Sequence, residues 1–334
     1  MSENKSKTKN SAEKKGDTAQ PAKVRNVFAD YVLMLVAPCV MAWYYHGQAA
    51  IKTLLAAIVA AVVSDFFASI IFYKKYTVSD LTALYTGAAI ALMLPAGVAA
   101  HVPVTASLFA VLAVKIPLGG GKKAPFVPAA AGFAFASICF PQEVFTFPSV
   151  ETSGLAVNGI SLAALLDSGS SPNLNTLNMF DVILGNVSGP MGTGCALVLL
   201  GCSTYIIFRR QRAIFATLGF VAACAVLALI FPRVQTGAAA SVFFELCSGS
   251  LLFAAVFFMT DPATAPDKTL PALGYGVLGG VLCMLMRYFG AYEEGVCFAV
   301  LLANAAWPVV LTAFNKVMRF FDSHLGARKA KEAE

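Results

Sequence analysis

The sequence predicts an all-α, polytopic membrane protein with about ten transmembrane helices, and three observations carry that prediction. Apolar runs of roughly 17–25 residues, long enough for a helix to cross about 30 Å of hydrocarbon, recur along nearly the whole chain. Of 334 residues, 58% are hydrophobic and 13% charged, and the mean hydropathy is +0.73. Soluble domains carry about 25% charged residues, so water is not this chain's main solvent. Lys and Arg also collect on one side of the runs, as a bundle of fixed orientation requires.

In order, the expected spans are 28–46, 48–72, 80–98, 101–117, 125–140, 190–208, 213–232, 240–260, 270–287 and 295–313. Three of them (101–117, 125–140 and 240–260) are short or interrupted by small and polar residues. Residues 1–25 are rich in Lys, Glu, Ser, Thr and Asn and too polar to bury a core, which predicts a disordered cytoplasmic tail; 316–334 reads as a cytoplasmic C-terminal tail. The long hydrophilic interruption, 141–187, carries many turn formers, among them Pro141, Pro148, Gly169 and Pro172. A loop of that length in a tight bundle is more often functional than idle.

Orientation follows from the cations. With the N-terminus inside, 21 of the 24 Lys and Arg fall on inner segments, including Lys74, Lys75, Lys115, Arg209, Arg210, Arg212 and Lys268. Only Lys52, Arg233 and Arg287 fall outside. An odd number of spans would put one basic end outside. The net charge of +6 therefore reports membrane orientation, and nucleic-acid binding is not the reading. Localisation is a prokaryotic-type inner (cytoplasmic) membrane, with the lipid bilayer as a partner and both termini cytoplasmic.

Eight cysteines lie in or at the edges of apolar spans with no CxxC spacing, and they read as small buried hydrophobes. His46 and His101 stand at span ends and His324 in the tail, without metal-ligand spacing. The pattern assigns no catalytic residue and no metal ligand. Four places can carry chemistry. Thr260-Asp261-Pro262-Ala263-Thr264 sets a carboxylate and two hydroxyls where Pro262 is about to stop a helix. Asp65 and Glu245 lie deep in apolar spans, where a charge costs at least a few kcal/mol and faces a bundle interior. Gly119-Gly120-Gly121-Lys122-Lys123 offers backbone N–H groups and two cations to an anion, without the GKS or GKT of a nucleotide loop. Gly185-Asn186-Val187-Ser188-Gly189-Pro190-Met191-Gly192-Thr193-Gly194 opens the sixth span with small residues that let a backbone or a flat ligand come close.

The runs FFMTDPATAPDKTLPALGYGVLGG and MRYFGAYEEGVCFAVLLANAAWP, with LGNVSGPMG and GGGKKAPFVPA, resemble the RnfD/NqrB family, over about residues 26–315. These are flavin-carrying membrane subunits of ion-translocating Rnf and Na⁺-NQR redox complexes, and the length looks more like RnfD. The resemblance implies two inverted five-helix halves, and the paired broken segments near 79–100 and 240–262 suit such a repeat. It implies electron relay through a bound flavin in a complex that couples ferredoxin oxidation and NAD reduction to Na⁺ or H⁺ movement, with Fe–S and flavin subunits as partners. The cofactor it implies is FMN, phosphoester-linked to the last Ser or Thr of a D-x-x-S/T-G-A-T-like motif, with riboflavin as a further flavin.

One register makes Ser161 the acceptor, with Leu155 for the acid and Asn158 for the first hydroxyl, and Gly159 between them. A second, Ser153-Gly154-Leu155-Ala156, puts Ala at the acceptor; a third aligns Asn158, Ser161 and Ala163 and leaves Ala164 there. The family's NPFNPA-like loop for a second flavin is here Ala124-Pro125-Phe126-Val127-Pro128-Ala129, without either Asn. The cofactor-binding residues thus expected are Asn158, Gly159, Ser161, Lys122, Lys123, Asn186, Gly189, Thr260, Asp261, Thr264 and Glu294. A solute channel or transporter of similar architecture, and a flavin-free structural or ion-path subunit, also suit these residues.

Overall fold

The computed structural model describes residues 21–73, 81–119, 124–148, 161–167, 178–233, 237–290 and 295–331. Among them there is no strand, and the apolar segments form ten helical spans. The first five are α1 (Pro21–His46), α2 (Gln48–Ala68, with a π turn over Ser69–Tyr73), α3 (Thr82–Met93), α4 (His101–Phe109, with a π turn over Ala110–Lys115) and α5 (Pro128–Cys139). The second five are α6 (Ala196–Arg209), α7 (Ile214–Ile230), α8 (Ala238–Cys247, resuming over Leu251–Phe258), α9 (Thr269–Phe289) and α10 (Val296–Lys331). Segments of α1, α2, α9 and α10 are long and apolar enough to cross a membrane alone, whereas α8 does so only as a pair bent by 67°.

Local chemistry explains the short spans. α3 stops because Pro95 pushes Leu94 out of the helical region, to ψ 159°. Pro128 opens α5 at the helix start, where its missing N–H costs nothing. The break in α8 falls at Ser248-Gly249-Ser250, with Gly249 at φ 58°. Two boundaries differ from the apolar runs. The run 80–98 is helical only to Met93, and the run 190–208 only from Ala196, because the stretches beside Pro95 and Pro190 are used as unwound backbone. α1 begins at Pro21, and α10 runs on to Lys331 through the segment expected as a tail.

The same packing pattern occurs twice. In the first half α2 packs on α3 and α4, and α4 on α5; in the second α7 packs on α8 and α9, and α9 on α10. The α7–α9 seam is close because a Cβ on Gly276 would lie 2.1 Å from the Ala216 carbonyl oxygen. Between halves, like meets like: α1 packs on α6, α5 on α10, and Tyr85 of α3 bonds the Phe257 carbonyl of α8. Self-paired contacts of this kind suit a two-fold relation between the halves, such as the inverted repeat that the resemblance implies. One apolar core, including Tyr31, Leu92, Phe257 and Tyr275, runs through both halves.

Candidate functional site

Polar side chains gather at two ends of the bundle. At one end, Tyr45 donates to the Leu184 carbonyl (3.0 Å) and His101 lies 3.2 Å from Glu143. At the other, Tyr31, Tyr85, Arg210 and Thr260 converge. The described part of the loop 141–187 marks the first, and the arginines 209–212 the second.

At the loop end, Ser161 starts the short helix Leu162–Asp167, accepting the Ala164 N–H on its Oγ at 3.0 Å. Leu162 and Leu166 bury against Val182 and Phe244, with Val187 packed beside them, which brings this helix to the Gly185–Cys195 segment. Ser161 is 1% exposed among the described residues. Its cap bond fixes the oxygen at the helix start. A hydrogen-bonding ligand does fit the neighbouring segment. Asn186 donates to Asp181 (3.4 Å), but its Oδ1 is buried with no partner among the described residues, and so is Thr193 Oγ1. Such atoms cost free energy unless something meets them. Around Gly189 a Cβ would meet nothing within 4 Å, leaving room there. Gly192 is different. Its amide and that of Met191 bond the Leu92 and Leu94 carbonyls (2.9 and 3.1 Å), and any Cβ would strike the Leu92 side chain at 2.2–2.8 Å.

At the arginine end, α8 finishes in a π turn whose Ala255, Val256 and Phe257 carbonyls accept from side-chain hydroxyls, the first from Thr217 (2.8 Å). Tyr85 donates to the Phe257 carbonyl (3.1 Å), Tyr31 to the Thr260 carbonyl, and Thr260 Oγ1 to the Val256 carbonyl. Arg210 Nη1 reaches the Thr260 carbonyl and the Tyr31 hydroxyl, each at 3.4 Å, and its charge suits a helix C-terminus. Asp261 lies just past the span in a tight turn: its Oδ1 accepts the Ala263 N–H (2.8 Å) and its carbonyl the N–H groups of Thr264 and Ala265. Burial pushes its carboxyl up to about 6, against the pull of the Ala263 amide, the Arg210 charge and the Thr264 amide. Asp261 and Thr264 thus share one turn, whereas the Thr260 hydroxyl turns back to the Val256 carbonyl of α8. At the loop resembling NPFNPA, Ala124 and Val127 are buried and offer no polar side chain, so the edge of a second, non-covalent flavin does not fit there.

The two deep acids are ion-paired. Asp65 Oδ1 lies 2.7 Å from Lys115 Nζ, joining α2 to α4. Glu245 holds Arg233 Nε at 2.6 Å and Arg287 Nη1 at 3.1 Å. Arg287 also donates to the Glu245 carbonyl (2.9 Å), the Ser248 carbonyl (2.8 Å) and Ser248 Oγ (2.7 Å), so it caps the broken end of α8. Two of the three cations that break the sidedness pattern thus have a local reason to be where they are. Of the remaining expected residues, Asn158, Gly159, Lys122, Lys123 and Glu294 lie outside the described ones. Sequence reasoning misses Tyr31, Tyr85, Arg210 and Arg287 because their partners are carbonyls, which no residue spacing reveals. Among the described residues no group of His, Cys, Asp and Glu is placed to hold a metal ion, and none of the eight cysteines forms a disulfide.

Residues 13–318 match the NQR2, RnfD, RnfE family. The chain belongs to that family. It is similar to the D component of the proton-translocating ferredoxin:NAD(+) oxidoreductase complex of Clostridium ljungdahlii, 25% identical over 89% of this chain and 92% of that one. It is also similar to the D component of the ion-translocating oxidoreductase complex of Escherichia coli, 28% identical over 84% of this chain and 90% of that one. The broken, capped spans described above are thus features of a chain that covers nearly the whole length of its relatives.

Proposed function

We propose that this chain is the membrane subunit of an ion-translocating ferredoxin:NAD oxidoreductase complex, relaying electrons through a bound flavin between Fe–S and flavin subunits. The observation that carries the reading is the match of nearly the whole chain to relatives named as the D component of such complexes. The proposed setting is the cell inner membrane with both termini cytoplasmic, supported by the 21 of 24 cations on one side. The arginine end then faces the cytoplasm and the Ser161 helix faces out.

A flavin supplies the one- and two-electron chemistry, and the protein supplies its placement. The residues that support an FMN at the outer end are Asn186 and Thr193, whose buried oxygens want a donor, beside the open space at Gly189. Ser161 caps the adjoining helix, so the proposed attachment is non-covalent. The test is an absorption spectrum of the purified chain with its intact mass and its fluorescence on a denaturing gel. A flavin spectrum that is lost on denaturation, with no added mass, is the expected result. A colourless protein within an active complex would overturn the flavin relay. Fluorescence that stays on the denatured chain and vanishes in Ser161→Ala would restore the covalent link.

A further inference from the structure

Two cavities lie beside α6 and the turn that follows it. The first, about 340 Å³, is an apolar groove between α1 and α6, with Leu33, Met34 and Ala37 on one wall and Val198, Gly201 and Tyr205 on the other. The second, about 640 Å³, is lined by Phe208, Arg209, Arg210 and Arg212 and closed by Pro266 and Asp267. Tyr205 of the groove and Arg209 of the second cavity both donate to Asp30 (3.2 and 2.8 Å), so the groove runs to the arginines, of which Arg210 and Arg212 stand just past the end of α6. From Val198 to Arg209 the helix rises about 16 Å, close to half of a hydrocarbon core of about 30 Å.

We propose that this seam binds an anionic phospholipid of the leaflet at the arginine end, with one acyl chain in the groove and the phosphate at Arg212. Arg209 is held by Asp30 at 2.8 Å, and Arg210 is turned toward Thr260 and Tyr31. Arg212 is exposed, with no partner among the described residues. The cavity is net cationic, since Asp30 and Asp267 oppose three guanidinium groups, and guanidinium is the side chain suited to phosphate. Leu33 on the groove wall is 60% exposed and Phe208 at the second cavity 80%, so apolar surface suited to acyl chains flanks both. Gly201 keeps it open: a Cβ there would meet nothing within 4 Å. The groove follows the α1–α6 contact, so the lipid would staple the two halves where the first span of each meets the other.

The test is native mass spectrometry of the delipidated full chain titrated with phosphatidylglycerol, with phosphatidylcholine of the same chains as the neutral comparison. Phosphatidylglycerol is expected to add first and more tightly. Arg212→Gln should weaken that first addition about fivefold, the worth of one cation near an anionic headgroup. Gly201→Leu should fill the groove and weaken it as well, in a protein whose unchanged melting temperature without lipid shows that it is folded. Equal binding of the two lipids, or indifference to both substitutions, overturns the proposal. Competition by glycerol phosphate, which lacks acyl chains, also overturns it, because the site would then hold a free anion.

Discussion

The two halves solve one problem differently. Each breaks its third span inside the bundle, and each break leaves helix carbonyls away from water, where an unmet carbonyl costs several kcal/mol. In the first half the donors are backbone amides: Gly192 and Met191 reach in to the Leu92 and Leu94 carbonyls. In the second half the donor is a side chain, Arg287, which brings a charge that Glu245 must balance. A backbone cap demands close approach and therefore glycine; a guanidinium cap demands a buried counter-ion. Asp65–Lys115 shows the contrast again. It joins spans two and four of the first half, as Glu245 joins Arg233, just past the second span, to Arg287, in the last turn of the fourth, but it caps no broken helix.

The largest effect is expected at Arg287. Replacing it by Met leaves Glu245 with one partner and the Ser248 carbonyl with none, a loss of roughly 3–5 kcal/mol, read as abundance and thermal unfolding in detergent. Lys115→Met should cost about as much by stranding Asp65. The double replacements separate the two cases. Asp65→Leu with Lys115→Met should recover most of the loss, because both charges leave together. Glu245→Leu with Arg287→Met should not, because the α8 carbonyls stay unmet. Equal recovery in both would show that Arg287 is only half of an ion pair.

Gly192→Val should cost roughly 1–3 kcal/mol by overpacking against Leu92, and Leu92→Ala in the same chain should return part of it. An additive pair of losses would place the strain elsewhere. The smallest effect is in pH. Asp261 binds its proton more tightly folded than unfolded, so its contribution to stability is fully present below the ordinary carboxyl range near 3.8 and is lost as pH rises through about 6. Asp261→Asn should flatten the stability profile between those values; an unchanged profile would show that the carboxyl does not titrate there.

The spans are legible because length and hydropathy are local properties, and so is the stop at Asp261, since Pro262 follows it. The break at Ser248-Gly249-Ser250 lies within a run already marked by small and polar residues. What stays hidden is pairing across distance. Asp65 reads as a deep acid, but nothing in its neighbourhood points to Lys115, 50 residues on. Arg233 and Arg287 look like exceptions to the sidedness of the cations, and only the fold shows Glu245 between them. Gly192 reads as part of an entrance for a ligand, whereas its closest neighbour is Leu92 of the other half. At the candidate flavin site the residue types are legible, but the burial of Ser161 under its own helix start is not.

The most direct test is of the inverted arrangement, on which the comparison of the halves rests. In a chain freed of its eight cysteines, single cysteines at Gln142, Gln211 and Lys268 can be treated with a membrane-impermeant thiol reagent in intact cells. Labelling is expected at Gln142 from outside, and at Gln211 and Lys268 only after the membrane is opened. Labelling of Gln211 from outside would contradict the inverted arrangement.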